Sequence, residues 1–156
     1  MLWKKKLVEK VANEHNLITN AFGMTHRFFS NPKTDNATAR QLSAFKGQSG
    51  TAGNINRSLN KLFFSNEFRG RGGELIMQCH DSIIGQVPVT DLSLIDYVCD
   101  IMEEPITIGE RAFSVPTEAD IGFIWGKKAV SYRGLETRSQ EDYLAEAHKL
   151  AMEIMA

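Results

Sequence analysis

Residues 73–88 read GELIMQCHDSIIGQVP, two apolar runs on either side of a His-Asp pair. Leu75, Met77 and Cys79 alternate with Ile76 and Gln78, the period of a β-strand, which puts the first three on one face. Ile83, Ile84 and Val87 continue on a return strand that Pro88 closes. Two-residue hairpin turns favour Asn-Gly, Asp-Gly or another glycine pair, because the backbone must take positive φ there. His80-Asp81 is a poor choice on those grounds. A chemical role for these two side chains therefore competes with the plain reading of a polar turn.

The segments on either side alternate helices and strands. Leu7, Val8, Val11 and Ala12 give an amphipathic helix over about residues 3–15. Residues 16–22 and 25–29 read as short extended pieces around Gly23, and SNPKTDN, residues 30–36, as a polar loop. A helical pattern runs over residues 38–64 with an expected interruption near Gly47 and Gly50. Its stripe is Ala52, Ile55, Leu59, Leu62 and Phe63. RGRGG, residues 69–73, reads as a flexible lead into the hairpin.

Beyond the hairpin, Asp91 is placed to cap a helix bearing Leu92, Ile95, Val98, Cys99 and Met102. A loop with Pro105 and Gly109 follows. Residues 115–125 alternate, with Ala119, Ile121, Phe123 and Trp125 opposite Glu118 and Asp120, which predicts a third strand beside the hairpin. Ser139 and Asp142 then start a last helix in the manner of a capping box, with Tyr143, Ala147, Leu150, Ala151 and Ile154 on its apolar face. The fold class these patterns predict is α+β, with a small antiparallel sheet, the His-Asp hairpin plus a later strand, covered by helices.

Composition bounds the function. At 156 residues, 42% hydrophobic and 24% charged, the chain is the size of one domain with a core of its own. No apolar run approaches the roughly 20 residues a bilayer demands. MLWKKKLVEK is basic but precedes no apolar signal core, so a cytoplasmic location is expected and a membrane partner is not. Cys79 and Cys99 lack metal-ligand spacing and read as reduced, packed thiols. The net charge of −1 conceals an asymmetry. Residues 1–72 carry 12 Lys+Arg against 4 Asp+Glu, and residues 73–156 carry 6 against 15. The first part is suited to phosphates; the second holds acids that bind metal or solvate a surface.

LIMQCHDSIIGQVP resembles the third polymerase motif of family A DNA polymerases, the bacterial Pol I type and its phage relatives. NLITNAFGMTHRFF resembles that family's strand pair around a Phe-Gly turn. ARQLSAFKGQSGTAGNINRSL resembles its long helix before the hairpin, and SVPTEADIGFIWG its last strand. The likeness covers about residues 7–127 in the family's order. It implies a C-terminal palm segment over residues 1–127, followed by a helical extension over residues 128–156.

The resemblance also implies roles. Asp81 would be a metal-binding catalytic carboxylate for a two-Mg²⁺ nucleotidyl transfer, and His80 would lie against the primer terminus. Ser82 stands where most members have Glu, so an acidic role there is left open. Arg40 and Gln48, eight residues apart as in the family, would meet the primer-template minor groove, whose acceptors lie at similar places in every base pair. Arg57 would add a phosphate contact, and Lys46 or Lys61 electrostatic affinity. The family's Asn between the Arg and the Gln is missing, Ser49 is an extra residue, and Asn54 stands where Asp is common.

No strand with the family's other metal-binding Asp and no fingers helix precedes this region. The expected enzyme is therefore a DNA-directed DNA polymerase in which this chain, inactive alone, meets dNTP and primer-template only with a complementary fragment carrying fingers, thumb and the remaining palm. A split phage gene would produce such a piece. The alternative is a degenerate polymerase remnant that binds DNA without catalysis. A metal phosphohydrolase built on His80-Asp81 would need the dyad on a helix and further paired histidines, whereas His15, His26 and His148 show no such spacing.

Overall fold

The computed structural model describes residues 2–108, 110–124 and 129–155. Gly109, Trp125 and Gly126, which entered the expectations above, lie outside the described residues. The chain divides into two compact units, Met1–Arg57 with Thr107–Arg111, and Ser58–Ile106 with Ala112–Ala156. The charge asymmetry follows this division: the first unit carries 10 Lys+Arg against 4 Asp+Glu, the second 8 against 15. The fold is α+β with small antiparallel two-stranded sheets.

In the first unit α1, Leu2–Asn13, ends where His15 and Asn16 take left-handed backbone, φ 56° and 59°. The chain reverses there, and Asn16 N–H returns to Val11 C=O at 2.9 Å. β1, Leu17–Thr19, then pairs antiparallel with β2, Thr25–Arg27. Asn20 fixes the turn between them. Its Oδ1 accepts from Phe22 N–H and Met24 N–H at 2.9 Å each, and its Nδ2 donates to Ser49 C=O at 3.0 Å. Leu7, Val11, Ile18, Phe28 and Leu42 form the core of this unit.

Helix α2, Asn36–Phe64, starts at Asp35, whose Oδ1 accepts from Ala37 N–H at 3.0 Å while its Oδ2 accepts from the Thr38 hydroxyl at 2.6 Å. It is continuous. The interruption expected at Gly47 and Gly50 does not occur, because a glycine costs a helix only about 1 kcal/mol. Buried Leu42, Ile55 and Leu62 anchor the helix on either side of these glycines. Of the expected stripe, Ile55 and Leu62 are buried and Phe63 is exposed.

In the second unit the end of α2 is followed by α3, Asn66–Gly70, capped by the Ser65 hydroxyl accepting from Phe68 N–H at 3.0 Å. The lead into the hairpin is pinned, not free. Arg71 donates in a fork to both Asp91 carboxylate oxygens at 2.8 Å, and to the Ser93 hydroxyl at 2.6 Å. This corrects the capping role expected of Asp91. Helix α4, Ser93–Met102, has Leu92 at its cap position with no side-chain cap, because the Asp91 carboxylate is turned to Arg71 and Ser93.

β3, Glu74–Cys79, and β4, Ser82–Gln86, form the predicted hairpin. After it come β5, Ile106–Ile108, and β6, Arg111–Phe113, which pair with each other. β7, Ala119–Ile121, keeps the expected alternation, Ala119 and Ile121 half-buried and Asp120 exposed. It does not join the hairpin. It pairs antiparallel with β8, Val130–Tyr132, Ile121 opposite Val130 and Ala119 opposite Tyr132. The cause lies in the buried Val130 and Tyr132 side chains, which hold β8 in one core with Leu92, Tyr143 and Ala147.

α5, Gln140–Met155, completes this core with Tyr143, Ala147 and Ala151 buried and Ile154 exposed. Ser139 caps it as predicted, accepting from Asp142 N–H at 3.2 Å while its hydroxyl donates to Asp142 Oδ2 at 2.8 Å. The segment expected as an extension thus contributes a strand and a helix to the packing of the second unit. A separate core of Leu62, Phe68, Leu94 and Ile101 takes up Leu75 and Ile83 from the hairpin.

Candidate functional site

The hairpin register decides what its tip presents. Leu75 opposes Gly85, Met77 opposes Ile84, Gln78 opposes Ile83 and Cys79 opposes Ser82. The register shifts between Leu75 and Met77, leaving Ile76 as an extra residue, a β-bulge. The bulge reverses the alternation along β3. Leu75 and Gln78 share a face with Ile83 and Gly85, while Met77 and Cys79 share the other, so the predicted grouping of Leu75 with Met77 and Cys79 does not hold. Gly85 is required opposite Leu75, since a Cβ there would lie 2.8 Å from Glu74 C=O.

The turn itself is two residues, His80 and Asp81, both exposed. His80 takes φ 52°, while Asp81 does not have positive φ. That is the sign pattern of a type II′ turn, whose first position favours glycine. A residue with a Cβ in left-handed backbone carries a cost of roughly 1–2 kcal/mol. Gln78 Nε2 donates to His80 C=O at 3.3 Å, and the Ser82 hydroxyl donates to Cys79 C=O at 2.7 Å. Ser82 thus closes the turn through its hydroxyl. Positive φ at a residue with a Cβ occurs in this chain also at His15 and Asn16, where it ends α1; at the hairpin tip it falls on the exposed His80.

Arg40, Gln48 and Arg57 belong to α2 in the first unit, whereas His80, Asp81 and Ser82 belong to the second. At about 100° per residue, Arg40 and Gln48 are separated by roughly 80° around the helix and about 12 Å along it. Both are exposed. Nine further residues bring Arg57 about 180° from Gln48. Half-buried Arg57 donates from Nη2 to Asn54 Oδ1 at 2.7 Å. Arg57 and Gln48 therefore do not share a face. Lys61 is ion-paired with Glu104, while Lys46 is exposed.

Among the described residues, no three of His, Cys, Asp and Glu gather as a metal-binding group. Asp81 by itself does not make a two-metal site, and its donor set does not fit one without carboxylates from elsewhere. The His80-Asp81 dyad lies on a turn, which is not the helical setting of a phosphohydrolase. His26 instead stacks on Phe45, ring centroids 5.3 Å apart, and His148 meets the edge of Phe123 at 6.1 Å.

No family model, curated protein or solved structure matches this chain.

Sequence reading missed two features of this region. One is the bulge, which no residue type in LIMQ announces. The other is the packing of the Phe22 ring over Gly53 of α2, where an added Cβ would lie 2.9 Å from Cε2 and closer to Cγ and Cδ2. A glycine in mid-helix was the available signal for it.

Proposed function

We propose that this chain is the C-terminal palm segment of a family A-like DNA-directed DNA polymerase, which supplies one catalytic carboxylate and part of the primer-template contact surface. The observation that carries this reading is the exposed, strained His80-Asp81 turn at the tip of a hairpin. Before it in the sequence, in the family's order, come a strand pair about a Phe-Gly turn and a long helix with Arg40 and Gln48 exposed. Asp81 offers hard oxygen ligands suited to Mg²⁺, on paired strands and not on a long loop. His80 stands beside it, placed to contact a primer terminus. The other carboxylates, the fingers and the thumb come from outside this sequence. The setting is the cytoplasm, with dNTP and primer-template DNA as the other participants.

The test is complementation. The 156-residue chain alone extends no primer; mixed with a fragment carrying the remaining palm, fingers and thumb, it does. Robust extension by the isolated chain would overturn the division of labour. A second reading, a remnant that binds DNA without catalysis, draws on Ser82, whose hydroxyl closes the turn where the family has an acid. Binding indifferent to Mg²⁺ and Asp81, together with failed complementation, would favour it.

A further inference from the structure

An open groove of about 950 Å³ lies in the first unit between α1 and the start of α2. Lys4, Lys5, Lys33 and Arg40 line it, against the single lining acid Glu9. Lys33 Nζ is held toward it by donating to Asn13 Oδ1 at 3.2 Å, and Asn13 is itself part of the lining. The nearby Asp35, outside the lining, accepts hydrogen bonds from Thr38 and Ala37 at the start of α2; the Thr38 hydroxyl above all, with a smaller contribution from Arg40, lowers its pKa and keeps it ionised, so it offsets part of this charge. The groove is wide and open, a shape suited to a chain laid along it and not to an enclosed small molecule. Besides the four cations and Glu9, its lining holds the polar Asn13, Asn36 and Ser43 and a few apolar side chains.

We propose that this groove binds the phosphodiester backbone of a nucleic acid, independently of sequence and of the hairpin. Lysine ammonium groups meet phosphates as point charges and displace the condensed counterions, so binding here is strongly salt-dependent. Asp81 and divalent metal have no part in it, and the site does not rest on the polymerase reading. Acidic proteins and anionic lipid surfaces offer the same sign of charge. Asn13, Asn36 and Ser43 in the same lining add neutral hydrogen-bond donors for phosphate oxygens, and the open shape takes an extended phosphodiester chain.

The test is the full chain titrated with a short labelled oligodeoxynucleotide, single-stranded and duplex, over a range of salt. Lys5→Glu/Lys33→Glu is compared with Lys10→Glu/Lys149→Glu, which carries the same net charge with its changes off the groove. Circular dichroism checks that both remain folded, and Lys5→Gln/Lys33→Gln stands in where the reversal does not fold. The groove variant weakens binding by about tenfold or more and lowers the salt slope by about two, while the off-groove variant changes little. The relative strength of the single-stranded and duplex arms identifies the form of backbone the groove prefers. Equal loss in both variants, or no loss in either, overturns the site. So does tighter binding to polyglutamate or anionic vesicles that DNA does not displace. Asp81→Ala leaves this binding unchanged, so the groove and the complementation test fail or succeed separately.

Discussion

Gly53 of α2 lies directly beneath the ring of Phe22, so close that a Cβ at position 53 would come within 2.9 Å of Cε2. The aromatic ring of the β1–β2 turn docks on a helical position that has no Cβ to meet it, while Asn20 ties the same turn to Ser49 C=O. Gly47 and Gly50 meet nothing that would crowd a Cβ. The three helical glycines are thus not equivalent.

Gly53→Ala removes a helix-unfavourable glycine, a gain of about 1 kcal/mol. It also drives a methyl into ring carbons, a cost of about 1–3 kcal/mol. Overpacking wins because the ring is fixed by its own turn. Chemical denaturation is expected to show Gly53→Ala less stable than the parent, Gly50→Ala at least as stable, and Phe22→Leu to relieve the defect of Gly53→Ala in a double-mutant cycle.

His80→Gly removes the left-handed strain of the hairpin tip at the expense of a more flexible unfolded chain. The net effect is a gain of about 0.5 kcal/mol. His80→Ala, which keeps a Cβ, gives none. Thermal denaturation of the two variants side by side separates strain from side-chain loss. In the complementation assay both lose activity, the more stable variant included.

Asp81→Ala changes an exposed turn residue and leaves stability within about 0.5 kcal/mol of the parent. Activity of the reassembled polymerase is abolished while co-purification of the fragments persists. Retained extension would reject Asp81 as a metal ligand.

Asp91 sets an acid limit. The Arg71 fork, aided by the Ser93 hydroxyl, holds its pKa down from 3.8 to about 2. A carboxylate depressed on folding contributes stability that is present above its unfolded value and lost as pH falls through the folded one. Part of the stability of the second unit therefore disappears between about pH 4 and pH 2. Asp91→Asn is less stable at neutral pH and lacks that portion of the acid slope, as fluorescence-monitored denaturation across this range would show.

Tyr143 is buried, with its hydroxyl accepting from Arg133 N–H at 3.0 Å and donating to Gly134 C=O at 3.3 Å. Tyr143→Phe leaves a backbone donor and acceptor without this partner and lowers stability by about 1–3 kcal/mol. Equal stability of the two proteins would show that both groups find other partners.

The sequence by itself determined the hairpin, its tip and most of the helices, because each rests on a local signal. The alternation of ELIMQC and SIIGQ, the stripe of α5 and the Ser139 cap are all readable within a few residues. The charge division was legible for the same reason. Only the tertiary structure decided which strands meet. β7 has the predicted pattern, yet it pairs with β8, a three-residue strand recognisable chiefly through the burial of Val130 and Tyr132. The bulge at Ile76 and the removal of Asp91 from its capping role depend on partners distant in sequence, Gly85 across the hairpin and Arg71 before it. Periodicity shows which side of a segment is apolar; it carries no information about what lies opposite. The strained His80 backbone joins the two levels: the residue type was visible as an odd choice, and the φ of 52° measures how odd.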